Sequence, residues 1–230
     1  MYWYDSTYFL VIIGALISMW ASSRVNSTFN KYSRVRSLTG MTGADAARRI
    51  LETQGIHDVR VERISGNLTD HYDPRTKVLR LSDSTYGSAS VAAVGVAAHE
   101  CGHALQHHFG YVPLNIRSAL VQVANFGAKL SWPLVLIGLL IGGNSSLLFI
   151  NAGILLFCAA LLFQIVTLPV EFNASSRAMT LLGECGILYD EELRSTKKVL
   201  SAAAMTYVAS VAASLLQLLR LLMIAGRRRD

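Results

Sequence analysis

With 230 residues, 52% of them apolar and only 16% charged, and with a mean hydropathy of +0.39, the chain is too apolar for an ordinary soluble protein. Much of it is expected to face lipid. The formal charge of +6 lies beside apolar segments rather than in an aromatic-rich basic domain, so it reads as a topology signal and argues against a nucleic-acid partner.

Three widely spaced cysteines, Cys101, Cys158 and Cys185, give no disulfide framework, which suits a reducing face. The first apolar run, 8–21 (YFLVIIGALISMWA), has nothing basic before it and no clean cleavage site after it, so it reads as an uncleaved anchor. It is short for a span of about 20 residues, and Trp3, Tyr4 and Trp20 are expected as its interfacial ends. Residues 24–36 carry Arg24, Lys31, Arg34 and Arg36 and no acid. By the positive-inside rule that flank is cytoplasmic.

From 42 to 87 the composition is that of a soluble domain. Thr42 is expected to cap a helix running to Gln54, with Gly55 ending it. Residues 59–64 and 76–82 alternate apolar with polar, as half-buried strands do, and 67–75 (NLTDHYDPR) would be the loop between them, with His71 and Asp73 in structural roles. Ser88 or Ser90 caps the next helix, which runs through His99 and His103 to about His107, with Gly110 and Pro113 beyond. Its many alanines and glycines let neighbouring backbones approach, so this helix is built to be buried.

Residues 116–143 and 147–170 are two apolar runs around the uncharged turn 142–146, a helical hairpin that returns the chain to the side it left. A last apolar helix, 199–225, is interrupted by Arg220 and followed by Arg227, Arg228 and Arg229. Four spans would put those arginines outside, against the charge rule. The organisation expected is an anchor (1–23), a catalytic domain (24–115), the hairpin (116–170) and a C-terminal part (171–230).

The chemistry lies in His99-Glu100-Cys101-Gly102-His103. Residues four apart on a helix project from nearly one face, so the two imidazoles can meet at a metal, and Glu100 can reach a water there without binding the metal itself. Zinc lowers the pKa of its water to about 7 and polarises a carbonyl, which makes Glu100 the expected general base. Gln106 and Phe109 stand where a metzincin would need glycine and histidine. His107 lies about 12 Å along the axis from His99 and cannot share the metal on a straight helix. Glu171, delivered by the hairpin to the face of the histidines, is the candidate third ligand, with Glu184, Glu191 and Glu192 in reserve.

Three blocks, LTDHYDPRTKVLRLSDSTYG, VAAHECGHALQH and LPVEFNASSRA, closely resemble the neutral membrane zinc metallopeptidases of the YugP type, and the resemblance covers nearly the whole chain. That family is similar in outline to the HtpX and CAAX prenyl proteases. The resemblance implies a gluzincin-like site with Zn2+ held by His99, His103 and Glu171. Ser175 stands where those relatives have an aspartate that orients a ligand histidine, with Asn173 as another substitute. The resemblance also implies that 76–82 is an edge strand against which a substrate backbone pairs. No histidine follows His108, so Arg177, Tyr189 and Tyr207 are the available oxyanion donors.

The fold class expected is a mainly α-helical integral membrane protein, zincin-like, with an H-E-x-x-H helix and a small β edge-strand element. The function expected is hydrolysis of membrane or membrane-adjacent proteins on the cytoplasmic side of a bacterial inner membrane, with peptide substrate and lipids as partners. A zinc-stabilised membrane scaffold without proteolytic activity is the alternative, and retention of Glu100 argues against it.

Overall fold

The computed structural model describes residues 7–141 and 144–227. Trp3, Tyr4, the Gly142 and Gly143 of the expected turn, and Arg228 and Arg229 lie outside the described residues. The elements run α1 (Tyr8–Tyr32), α2 (Gly43–Thr53), β1 (Arg60–Ile64), β2 (His71–Asp73), β3 (Val78–Ser82), α3 (Asp83–Tyr86), α4 (Val91–His108), α5 (Val112–Ile141), α6 (Asn144–Glu184) and α7 (Asp190–Gly226). Of these, α1, α5, α6 and α7 are long and apolar enough to cross a membrane.

The chain folds into two compact units, each assembled from separated segments. The first takes Met1–Ser22, Ile116–Leu168 and Thr206–Asp230, and the second takes Ser23–Asn115 and Pro169–Met205. The part expected as one piece from 171 to 230 is thus divided between them.

The first unit is held together by small residues that bring helix backbones close, as lipid-embedded packing requires. A Cβ on Gly127 would stand 2.6 Å from the Leu156 carbonyl oxygen, and one on Gly153 would stand 2.8 Å from that of Ser131. The Ser146 hydroxyl donates to the Gly138 carbonyl at 2.6 Å. Outward side chains are large and apolar, Leu140, Leu148 and Leu155 among the most exposed. Arg220, the charge that interrupts α7, is buried with its guanidinium 4.1 Å from the centre of the Tyr8 ring.

The second unit is built from better-marked local signals. Thr42 caps α2 in a reciprocal box, its hydroxyl accepting from the Asp45 amide and the Asp45 carboxylate accepting from the Thr42 amide, each at 3.2 Å. Gly55, at φ +69°, ends the helix. The apolar face of α2, led by Ala46, Ala47 and Ile50, joins one core with Leu79 and Leu81 of β3, the small residues of α4, and Leu182, Ile187 and Leu188.

In the sheet, β3 pairs parallel to β1 and antiparallel to β2. The expected edge strand is therefore corrected: β3 is central, with β1 and β2 on its two sides. Its hydrogen-bonding groups are engaged on both flanks, so an added strand would have to pair with β1 or β2. The missing partner, β2, lies inside the expected loop. Asp70 beside it receives the Ser82 amide and hydroxyl, both at 2.8 Å, and Asp73 receives the Arg75 amide at 3.0 Å and the Thr76 hydroxyl at 2.7 Å.

Two helices run further than composition suggested. α1 continues past the apolar run through Arg24 to Tyr32. α6 continues through Pro169 to Glu184, so Glu171 sits inside a helix rather than at its end. Proline removes one helical donor, yet the helix runs on through it, and just beyond it Gln106 Nε2 of α4 donates to the Val170 carbonyl at 2.8 Å.

Candidate metal centre

The site belongs entirely to the second unit and is made by α4 and α6. The Ser90 hydroxyl caps α4 by accepting the Ala93 amide at 3.2 Å, and the Val91 amide donates to the Val35 carbonyl at 2.9 Å. Both bonds fix where the helix starts, and hence which face carries the histidines.

The second helix is set by contact of backbones. A Cβ on Gly102 would lie 2.5 Å from the Ala174 carbonyl oxygen and 3.0 Å from its Cα, so α4 and α6 touch at a point only glycine permits. Ala174 and Ala178 are fully buried. That crossing puts Glu171, one turn before Ala174, opposite His99 and His103.

The geometry is convergent. Glu171 Oε2 stands 3.2 Å from His99 Nε2 and 3.6 Å from His103 Nε2. Two imidazole nitrogens and one carboxylate oxygen lie within 4.8 Å of one another. The imidazoles are edge to face, 4.7 Å between centroids at 84°, so their lone pairs aim inward from different directions. This donor set, two nitrogens and one oxygen, fits a zinc ion with an open fourth position.

Second contacts fix each ring. His99 Nδ1 meets the Ser175 hydroxyl at 3.0 Å, and His103 Nδ1 meets Gln106 Oε1 at 3.0 Å. Gln106 is fully buried, and its amide nitrogen donates to the Val170 carbonyl at 2.8 Å and to Asn173 Oδ1 at 3.0 Å. With the amide nitrogen so occupied, Oε1 can only accept. His103 must then carry its proton on Nδ1, which leaves the Nε2 lone pair for a metal. Asn173 Oδ1 also accepts from Arg177 Nε at 2.8 Å, and the Arg177 guanidinium lies 5.9 Å from the Tyr111 ring centre.

Gln106 is the residue that sequence reasoning missed as a participant. Its position three after His103 on the same helix was the available signal, since such pairs are neighbours.

Electrostatics agree with this arrangement. Burial opposes a proton on His103, but the hydrogen bond it donates to Glu171 and the nearby charge of Glu100 outweigh it and hold the pKa above the ordinary value of 6.5. Glu100 itself is 8% exposed, a buried carboxylate next to His99 in sequence. Cys101, fully buried against the Ala47 carbonyl, has its thiol pKa pushed up by burial, which makes it an inert packing residue.

The other named residues are also placed. His107 turns away to the Tyr72 hydroxyl, 2.9 Å from its Nδ1. Burial, with Asp58 and Asp73 nearby, pushes the Tyr72 pKa up to about 12, so that hydroxyl stays protonated. Tyr189 lies in the turn before α7, where its carbonyl accepts the Glu192 amide at 2.7 Å and its amide donates to Glu192 Oε2 at 3.0 Å. Glu192 also receives the Leu38 amide at 2.7 Å, and Glu191 pairs with Arg194. Both reserve acids of α7 are thus engaged elsewhere. Tyr207 belongs to the first unit.

Residues 7–226 match the family model described as "Putative neutral zinc metallopeptidase". A relative from Bacillus subtilis (strain 168), "Putative membrane protease YugP", is 49% identical over 222 residues, covering 96% of this chain and 97% of its own. No solved structure matches the chain.

Proposed function

The chain belongs to that zinc metallopeptidase family, and on this premise we propose that it is a membrane-embedded zinc-dependent endopeptidase acting on membrane or membrane-adjacent proteins. The observation that carries the proposal is the convergence of His99 Nε2, His103 Nε2 and Glu171 Oε2, with each histidine's other nitrogen held by a separate partner.

In this reading His99, His103 and Glu171 are the ligands. When bound, zinc supplies Lewis-acid polarisation of the scissile carbonyl and makes water acidic enough to lose a proton near neutral pH. Glu100 takes that proton and returns it to the departing amine, the role of a general base that then acts as acid. Ser175 and Gln106 keep the imidazoles in the binding tautomer. Among Arg177, Tyr189 and Tyr207, only Arg177 is joined to a ligand histidine by the described hydrogen bonds, through Asn173 and Gln106, so it is the preferred donor toward developing negative charge.

The setting proposed is a multi-pass bacterial inner-membrane protein with the site on the cytoplasmic side, supported by the acid-free basic stretch from Arg24 to Arg36. Single cysteines at Asn67 and Asn144, in a background lacking the native three, test it. Labelling of position 67 from outside would invert the topology.

The activity is tested by comparing the proteomes of membranes holding wild type or Glu100→Gln. Substrates should accumulate uncleaved in the variant. Identical proteomes, with both proteins present at equal level and loaded with zinc, would remove the peptidase reading.

A further inference from the structure

Away from the metal centre, the second unit has a cleft of about 650 Å³ between the last two turns of α1 and the early turns of α7. Five cations line it: Arg24, Lys31, Arg194, Lys197 and Lys198. Among the described residues no carboxylate does. Arg194 is paired with Glu191, which lies outside the lining, and Lys31, Lys197 and Lys198 bring about three further positive charges to the cleft.

The two helix faces have the same design. Along α1, Arg24, Ser27, Thr28 and Lys31 fall at i, i+3, i+4 and i+7, which is one stripe. Along α7, Arg194, Lys197, Lys198 and Ser201 fall at the same spacing. Facing helical stripes ordinarily match apolar with apolar or one sign of charge with the other, because like charges a few ångströms apart repel. Here cations face cations across a cavity, with the hydroxyls of Ser27, Thr28 and Ser201 between them. Buried Tyr32 and Ala202 form part of its floor, and the cationic residues themselves are exposed.

Position adds a second constraint. Both helices are of membrane-crossing length and composition. α1 turns from apolar to charged at Arg24, and α7 turns from charged to apolar after Lys198; both turning points are in the lining. The cleft therefore lies where both span-length sequences change between charged and apolar, the composition that marks headgroup level in a membrane protein.

We propose that this cleft is a binding site for the phosphate headgroup of an anionic phospholipid, distinct from the metal centre. Its recognition elements are Lys31, Lys197 and Lys198 as point charges, Arg24 as a planar donor, and Ser27, Thr28 and Ser201 as hydroxyl partners. The shared chemistry is a phosphate monoanion or diester, and the neighbouring apolar helices favour one that carries acyl chains.

The test uses the full chain in neutral maltoside micelles, followed by native mass spectrometry with dioctanoyl phosphatidylglycerol, dioctanoyl phosphatidylcholine and inorganic phosphate as separate probes. Phosphatidylglycerol should bind in preference to phosphatidylcholine. At about fivefold per basic residue, Lys197→Gln/Lys198→Gln should weaken its binding about 25-fold. Lys197→Arg/Lys198→Arg should retain it, and Arg49→Gln/Arg75→Gln, which removes two exposed charges outside the cleft, should leave it unchanged. Equal binding of the two lipids by wild type, a reading that needs no variant, would overturn the proposal. So would an unweakened Lys197→Gln/Lys198→Gln protein. Inorganic phosphate binding as tightly as phosphatidylglycerol would overturn the lipid assignment in favour of a soluble anion.

Discussion

Replacing Gly102 by alanine tests whether the contact between α4 and α6 sets the metal geometry. The new Cβ would stand 2.5 Å from the Ala174 carbonyl oxygen, whereas ordinary C···O contacts lie at about 3.3–3.6 Å. Both atoms belong to helix backbones, so relief requires a separation of about 0.8 Å or more rather than a rotamer change. Ligand distances tolerate about 0.2 Å. Ala174 is bonded directly to Ser175, which holds His99, and lies one turn from Glu171, so the shift reaches the site at once. Zinc affinity should fall about 10–100-fold, and overpacking should cost about 1–3 kcal/mol of stability. Gly183→Ala is the control, because its Cβ would meet only Leu193 Cδ1 at 3.6 Å, an ordinary contact. Chelator competition and thermal unfolding measure both quantities. Wild-type zinc affinity in Gly102→Ala would refute the claim that this crossing positions Glu171.

Gln106→Leu removes the acceptor of the His103 Nδ1 proton and should weaken zinc binding about 10–100-fold, read by the same competition. The pH dependence of the metal-free chain should oppose that of zinc binding. Because the folded pKa of His103 is raised above 6.5, the contribution of its contact with Glu171 is fully present below 6.5 and fades as pH rises through the folded value. Zinc takes the deprotonated ring, so its affinity should climb over that same rise. Thermal unfolding with chelator and zinc titration at about pH 5.5 and about pH 8.5 compare the two, and parallel trends would contradict the assignment. Cys101 should resist a thiol reagent until the chain unfolds, as peptide mass spectrometry would show, since it is fully buried with a raised thiol pKa. Its labelling in the native protein would mean that α4 is not packed as described.

What sequence made legible was whatever rests on local rules. Thr42 and Gly55 bracket α2 because capping and left-handed turns are decided within a few residues, and Ser90 opens α4 for the same reason. The alanines and glycines of α4 were readable because composition alone shows them. What escaped depends on tertiary context. β2 is three residues long and has no alternation to show; only its pairing with β3 makes it a strand. With β2 missed, nothing in the local pattern opposed the edge position that the resemblance implied for β3. The continuation of α6 past Pro169 was hidden because proline and a switch from apolar to polar residues normally mark a boundary. Gln106 offered only its place three residues after His103, and the clamp of its amide on α6 depends on the fold.

The central claim is that two buried acids have different duties, Glu171 holding the metal and Glu100 moving a proton. Zinc stoichiometry and affinity of purified Glu171→Ala and Glu100→Gln, measured side by side with wild type against a chelator of known strength, test it most directly. Glu100→Gln should keep about one zinc per chain with near wild-type affinity while losing turnover, and Glu171→Ala should lose both. If Glu171→Ala binds zinc as tightly as wild type, or Glu100→Gln sheds it, the assignment of duties is wrong.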